Sequence, residues 1–340
     1  MRAVVHERTG GPEVLRLTER PVPEVPAGHV RVRVHVSGVN PTDLRSRSGQ
    51  SSGMKFAEQI PHQDGAGVVD AIAADVTGFE AGQRVWLWDA AFGSPAGTAA
   101  DYVVVPAKHV VPLPDGASFE LGASLGIPAL TAHHALTSGT QRLAPGTLTG
   151  TTVLVHGGAG AVGHAAIQLA AWAGARVITT VSSQDKARLA AAAGAHHVLD
   201  YRAEDVPARV AELAPVGVHH IVEVDLAANL ATDTAVLAPG GSINVYTYRS
   251  GELLPIPSLE LLVKNARLGF TYTYTVDAAA KEDAIAAVRA AVADGVMGVG
   301  PEHGLPLGRY ELAETPAAHA ALEQGFVGKV LISVVPGTTE

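Results

Sequence analysis

Gly158-Ala159-Gly160-Ala161-Val162-Gly163 decides how this chain is read. It follows the apolar run Thr152-Val153-Leu154-Val155-His156 and opens a helical stretch, Ala161 to Ala173, in which Val162, Ala166, Leu169 and Ala170 form one stripe. In a G-x-G-x-x-G after a strand, the first glycine permits the tight turn and the second lets backbone N–H groups approach a pyrophosphate. The third lets helix and strand pack closely. The positive end of the helix dipole then faces the phosphates. In a chain with 37 Gly the motif alone could be a mere βα turn. Strand, loop, helix and a following strand in register make it a dinucleotide site.

The next strand, Arg176-Val177-Ile178-Thr179-Thr180-Val181, bears on which dinucleotide. A carboxylate at its tip would hydrogen-bond the ribose 2′-OH of NAD. The tip reads Ser182-Ser183-Gln184-Asp185-Lys186 instead. Two hydroxyls and an ammonium suit a 2′-phosphate, whose charge a carboxylate would repel. NADPH is therefore the expected cofactor, with Ser182, Ser183 and Lys186 as contacts. The other reading is that a serine caps the helix Gln184 to Ala193 and Lys186 is solvated.

Outward from the loop, strands alternate with Ala-rich helices from about residue 122, the pattern of parallel βαβ units. His220 to Val224 and Ser242 to Val245 read as later strands, with a Pro239-Gly240-Gly241 turn between them. The first third reads as β. Arg31-Val32-Arg33-Val34-His35-Val36 alternates strictly, and Gly67 to Asp70, Arg84 to Trp88 and Tyr102 to Val105 are short strands between turns. A helix from Ala278 to Ala293 and a strand from Lys329 to Val335 read as a return to the first domain. The expected layout is α/β, with one domain of residues 1–121 and 276–340 and another of 122–275.

Composition narrows the chemistry. The 340 residues suggest about two domains at ~150 residues each. Apolar residues make up 47% and charged ones 17%, which fits neither a disordered chain nor a coiled coil. With no Cys, disulfides, a thiol nucleophile, iron–sulfur clusters and thiolate zinc sites are excluded. Only His, Asp and Glu remain as metal ligands. The net charge of −9 argues against nucleic acid or an anionic membrane as main partner. No apolar run approaches ~18 residues, and the first residues turn polar too soon for a secretory signal, so a soluble cytoplasmic protein is expected.

The order and spacing of several segments resemble the zinc-independent quinone oxidoreductases, the ζ-crystallin-like branch of the medium-chain dehydrogenase/reductases. These segments are Gly11 to Leu15, Val39-Asn40-Pro41-Thr42-Asp43, Asp64 to Val69, Gly97 to Tyr102, Leu130-Thr131-Ala132, the glycine loop, Asp200-Tyr201-Arg202 and Gly328-Lys329-Val330. The resemblance implies a GroES-like β domain built from both chain ends, a Rossmann domain with a doubly wound parallel sheet inserted between them, and an active site in the cleft. The zinc-dependent members hold zinc through Cys and His. Without Cys neither zinc site exists as such, and His62 with Asp64 is expected to be a structural pair rather than a metal site.

By the same resemblance, Asn40 lies near the nicotinamide and donates its amide to an acceptor oxygen, or else makes a turn before Pro41. Asp43 supports that loop, and Thr131 lines the nicotinamide pocket. His133 stands where many relatives carry Tyr and would either relay a proton or, with His134, give one core-facing and one solvated ring. Tyr201 packs near the 2′-phosphate. Tyr246, Tyr248 and Arg249 occupy the stretch whose backbone bonds the carboxamide, and their bulk reshapes the acceptor pocket. Phe270 and Lys329 complete the cofactor set with Gly158, Gly160, Ala161, Val162 and Gly163; Lys329 could instead form a surface ion pair. Asn40, Thr131 and Tyr246 are the catalytic candidates. Arg45 and Arg47 read as solvated charges or as attractors of an anionic substrate group, in a Ser/Gly-rich loop from Leu44 to Gly53.

Hydride transfer without a metal suits an acceptor that is already electrophilic. The expected activity is NADPH-dependent reduction of a quinone or an α,β-unsaturated carbonyl, by placement and hydrogen bonds to the developing oxyanion. The alternatives are an enoyl-thioester reductase and a non-catalytic, crystallin-like NADPH-binding protein. Ala266 to Thr275 alternates after Gly269 and reads as an edge strand. In this family such a strand pairs across a two-fold axis, so a homodimer is expected, the other reading being a covered edge in a monomer.

Overall fold

The computed structural model describes residues 1–51, 54–138, 141–248 and 253–335, and the chain forms two units, Met1–Ile127 with the chain from Pro306, and Pro128–Leu305.

The first unit grows from the alternation at Arg31 to Val36. The strand His29–Val39 turns Val30, Val32 and Val34 fully into the core and leaves Arg33 exposed. It pairs with Asp64–Ile72, Tyr102–Pro106 and Lys329–Ser333, all antiparallel. The sheet runs Leu307–Glu311, Lys329–Ser333, His29–Val39, Asp64–Ile72, Arg84–Leu87, Val110–Pro112. The chain's last strand is thus an interior strand of a sheet begun at residue 29. Val30, Val32, Val34, Val69, Val85, Val103, Val330 and Ile332 share one core, each worth about 1.5–3 kcal/mol of burial. Directly after His29–Val39 comes a short helix, Pro41–Ser48, started by Pro and stopped by Gly49 at φ 82°.

The second unit is a six-stranded, all-parallel sheet. Its order is His197–Asp200, Arg176–Val181, Thr152–His156, Val218–Glu223, Leu237–Val245, Arg267–Phe270. Numbered along the chain this is 3-2-1-4-5-6, the Rossmann order, with the switch point between the first and fourth strands. Thr152–His156 is buried along its whole length and Arg176–Val181 from Val177 onward, so neither reads as an alternation.

Two expectations are corrected. The helix Ala278–Ala293 belongs to the second unit, which extends to Leu305, and not to the first. Just beyond it, the Gln168 amide donates to the Gly298 carbonyl at 3.2 Å and Trp172 Nε1 to Asp294 at 2.9 Å, tying this part of the chain to Ala161–Trp172. The expected strand over 266–275 stops at Phe270. Thr273–Thr275 is a 3-10 turn, and the Lys281 ammonium holds the Thr273 carbonyl.

Candidate functional site

The glycine loop leaves Thr152–His156 through Gly157 at φ 72°. The N–H groups of Gly157 and Gly158 donate to the Thr180 carbonyl at 3.1 and 3.3 Å, fixing the loop to the neighbouring strand. A Cβ on Gly158 would overlap Thr179 Oγ1, and one on Gly163 would overlap the Gly157 carbonyl oxygen. Gly160 is the N-cap of Ala161–Trp172, and no side chain there bonds the first helical N–H groups. The helix therefore begins with backbone donors, Ala161 and Val162 first, that no cap occupies, which is the arrangement an anionic pyrophosphate fits.

At the tip of Arg176–Val181, Ser183 caps the helix Gln184–Ala192 by accepting the Lys186 N–H at 3.3 Å. Ser182 instead meets the side chain of Lys186, Nζ to Oγ at 3.1 Å. Asp185 turns away into an exposed ion pair with Arg188. The N–H of Tyr201 donates to the Val181 carbonyl at 3.0 Å, so Tyr201 is bound to the same strand tip with its ring largely exposed. Ser182, Lys186 and Tyr201 are thus brought together. A cavity of about 540 Å³ alongside is lined by Gly157, Thr180, Tyr201, Val224, Asp225 and Asn229, among others.

Tyr246 follows Leu237–Val245 and is half-buried, its N–H donating to the Glu223 carbonyl at 3.2 Å. Burial, reinforced by the Glu223 carboxyl, pushes its hydroxyl above the usual tyrosine range. Tyr248 is exposed, and Arg249 lies outside the described residues. Phe270 pairs in register with Val245 on the edge strand, 72% exposed. It stands beside the Tyr246 stretch and not beside the glycine loop.

Thr131 is buried on Gly126–Thr137. His133 and His134 are both buried, their rings edge-to-face at 5.7 Å, so neither is the solvated partner expected from an amphipathic helix. The helix is covered all round. Burial holds His133 down at about 3 and His134 at about 4, which leaves both neutral near pH 7.

The first unit contributes a buried polar cluster. The Asn40 N–H donates to Asp43 Oδ2 at 2.8 Å, and its side-chain amide donates to Asp64 Oδ2 at 2.8 Å. Lys329 Nζ donates to Asn40 Oδ1 at 2.7 Å and lies 3.5 Å from Asp64 Oδ2. The Ile127 N–H closes the other Asp64 oxygen at 2.9 Å. Burial raises both carboxyls, Asp43 to about 7, while Lys329 opposes the rise. Burial also lowers Lys329, against the pull of Asp64 and Asp43. Lys329 is 1% exposed and forms no surface ion pair. Both ends of the Asn40 side chain have protein partners, and this fixes the plane of its amide.

His62 and Asp64 do not pair with each other. His62, at φ 81°, has Nδ1 on Ser37 Oγ and Nε2 on His319 Nε2, both at 2.8 Å. With an ammonium beside Asp64 and both His62 nitrogens committed elsewhere, these residues do not fit a zinc ion. Arg47 is buried in an ion pair with Glu323 and is not a solvated charge. The expected loop from Leu44 begins within the helix Pro41–Ser48, and its Ser52 and Gly53 lie outside the described residues.

Sequence reading missed a buried group in the second unit, His156 with Glu223 and Asp233. The signal was a carboxylate closing the apolar strand His220-Ile221-Val222-Glu223.

Residues 26–115 match the model of the alcohol dehydrogenase GroES-like domain, and residues 161–296 that of the zinc-binding dehydrogenases. The chain is 34% identical over 247 residues to the quinone oxidoreductase of Rattus norvegicus, covering 72% of each chain. It is 30% identical over 314 residues to a phenolphthiocerol/phthiocerol polyketide synthase polypeptide of Mycobacterium tuberculosis, which is 90% of this chain and 13% of that protein. Among solved structures, an NAD-dependent alcohol dehydrogenase superposes with a TM-score of 0.86 at 29% identity, covering 98% of this chain and 100% of that one. A mycobacterial protein complexed with NADPH superposes at 0.81 and 31%, with the same coverage. Two domain models in sequence and a relative of this identity and coverage make the chain a member of the quinone oxidoreductase-like family of medium-chain dehydrogenase/reductases.

Proposed function

We propose that the protein is an NADPH-dependent oxidoreductase that reduces a quinone or an α,β-unsaturated carbonyl with no metal at the reacting centre. The observation that carries this reading is the strand tip, where Ser182 and Lys186 meet and Asp185, the carboxylate of the tip segment itself, is turned onto Arg188. NADPH, when bound, supplies the hydride. Ala161 and Val162 hold its pyrophosphate through backbone N–H groups, and Ser182, Lys186 and Tyr201 hold its 2′-phosphate. Thr131 and Tyr246 border the nicotinamide. Asn40 orients the acceptor, its amide plane set by Lys329 and Asp64. Such placement, with donors preset toward a developing oxyanion, lowers the barrier without an acid–base dyad.

Steady-state oxidation of NADPH against a panel of quinones and enones, with and without chelator, tests the reading. Turnover that survives the chelator supports it, and absence of turnover on every acceptor would leave a nucleotide-binding protein. A second reading, reduction of an enoyl thioester, is favoured by the similarity to a polyketide synthase over 90% of this chain. Paired free enones and their thioesters separate the two by kcat/KM.

The protein is further proposed to be a homodimer. Arg267–Phe270 ends the sheet with one edge unpaired among the described residues, and Leu259, Leu262, Val263 and Phe270 are exposed around it. An uncovered apolar edge of this kind invites pairing with a second copy.

A further inference from the structure

We propose that His156, Glu223 and Asp233 form a divalent-cation site inside the second unit, suited to zinc or a transition cation of the same borderline class. The three residues come from different elements: the end of Thr152–His156, the end of Val218–Glu223 and the middle of the helix Leu226–Val236. Their ligand atoms lie within 4.8 Å of one another. His156 Nε2 is 2.8 Å from Asp233 Oδ1 and 3.5 Å from Glu223 Oε2. Ligands on a tetrahedral zinc with bonds of about 2.0–2.1 Å stand about 3.3 Å apart, a spacing these two distances bracket.

The second observation is that the cluster is incomplete. Glu223 and Asp233 are both fully buried, yet Glu223 Oε2 and Asp233 Oδ2 have no hydrogen-bond partner. Two buried carboxyls side by side stand only with a shared proton or a cation between them, and a cation displaces that proton when it binds. Among the described residues, neither forms an ion pair with a lysine or arginine, and the charged partner given to each is His156. The remaining atoms are already arranged for a metal. His156 Nδ1 meets Thr180 Oγ1 at 2.8 Å, which sets the ring and leaves Nε2 facing the carboxylates. Glu223 Oε1 accepts the Asn229 amide at 3.0 Å and the Asp225 N–H, so Oε2 is the oxygen left to coordinate.

Access comes from the 540 Å³ cavity, which His156 lines and which would bring a water as fourth ligand. Because His156 directly precedes Gly157, the cation would tie the root of the glycine loop to the fourth strand and its helix. This is a structural site, and it involves none of the residues proposed to touch the acceptor.

The test uses cobalt(II) as a visible probe on the purified chain. One equivalent is expected to bind with an intense tetrahedral d–d spectrum, to be displaced by zinc, and to raise Tm. His156→Gln and Asp233→Asn are expected to weaken binding by more than about 100-fold, while Asp185→Asn, on the surface, leaves it unchanged. No stoichiometric binding, or binding that both substitutions leave intact, overturns the proposal. If either variant fails to fold, X-ray absorption on the zinc-loaded wild type decides: one imidazole nitrogen with oxygen ligands supports the site, and two or more imidazoles place the metal on other histidines and overturn it.

Discussion

Lys329 illustrates how much one side chain can carry in this fold. Its ammonium lies buried between Asn40 and Asp64, so Lys329→Met strands an uncompensated carboxylate and is expected to cost about 3–5 kcal/mol. Adding Asp64→Asn should recover most of that loss in urea unfolding. An additive double mutant would deny the coupling. Lys186 carries the cofactor claim: Lys186→Ala should raise the KM for NADPH about 10- to 100-fold, the worth of one charge-assisted contact of about 1.5–3 kcal/mol, and leave that for NADH nearly unchanged. At this scale the sequence was legible where chemistry is local. Ser182 and Lys186 are four residues apart on a strand–helix turn, and their meeting follows from it. The Asn40–Asp64–Lys329 cluster spans 289 residues in sequence, and Glu223 with Asp233 is buried for reasons no local pattern records.

Elements were legible wherever a period was clean. Thr152–His156, the glycine loop and Ala161–Trp172 read directly from the spacing, and Gly163 shows why. Its missing Cβ lets the helix start against the Gly157 carbonyl, so Gly163→Ala should destabilise the second unit by about 1–3 kcal/mol and weaken NADPH binding, as thermal melts with and without cofactor would report. A melt unchanged in both conditions would contradict this packing. Periodicity misled at 266–275, where the alternating Phe270, Tyr272 and Tyr274 suggested a strand. The ammonium of Lys281, on a later helix, turns the backbone instead. The Ala-rich pattern of Ala278–Ala293 shows a helix but not which unit it joins, because small apolar residues fit many neighbours.

For the whole molecule, the buried histidines govern acid stability. His133 and His319 are held at about 3, and His134 and His164 at about 4, chiefly by burial. Unfolded, each titrates near 6.5, so below that pH the unfolded chain binds more protons. The stability these neutral rings confer is complete above pH 6.5 and declines as pH falls toward 4. Each fully engaged ring contributes a slope of about 1.4 kcal/mol per pH unit, opposed over pH 5–7 by buried carboxyls such as Asp43, raised to about 7; a ring's own share is the change in the urea-midpoint slope between pH 7 and 5 in His319→Gln, and an unchanged slope would mean that this ring titrates in the fold as it does unfolded. Phe270→Lys should convert the proposed dimer to monomer in sedimentation velocity, with the Rossmann sheet intact by circular dichroism. The missing cysteines first exclude thiolate metal sites. In the fold, the Lys329 ammonium beside Asp64 further argues for a reacting centre without zinc.

Metal-free hydride delivery from NADPH to an activated acceptor is tested by kcat/KM for a para-quinone with NADPH and with NADH, in the presence of chelator. The expected result is turnover that the chelator leaves unchanged, with NADPH favoured by at least about tenfold and the preference lost in Lys186→Ala. Equal use of NADH by the wild type, or activity abolished by the chelator and restored by zinc in the wild type and in His156→Gln alike, would contradict it.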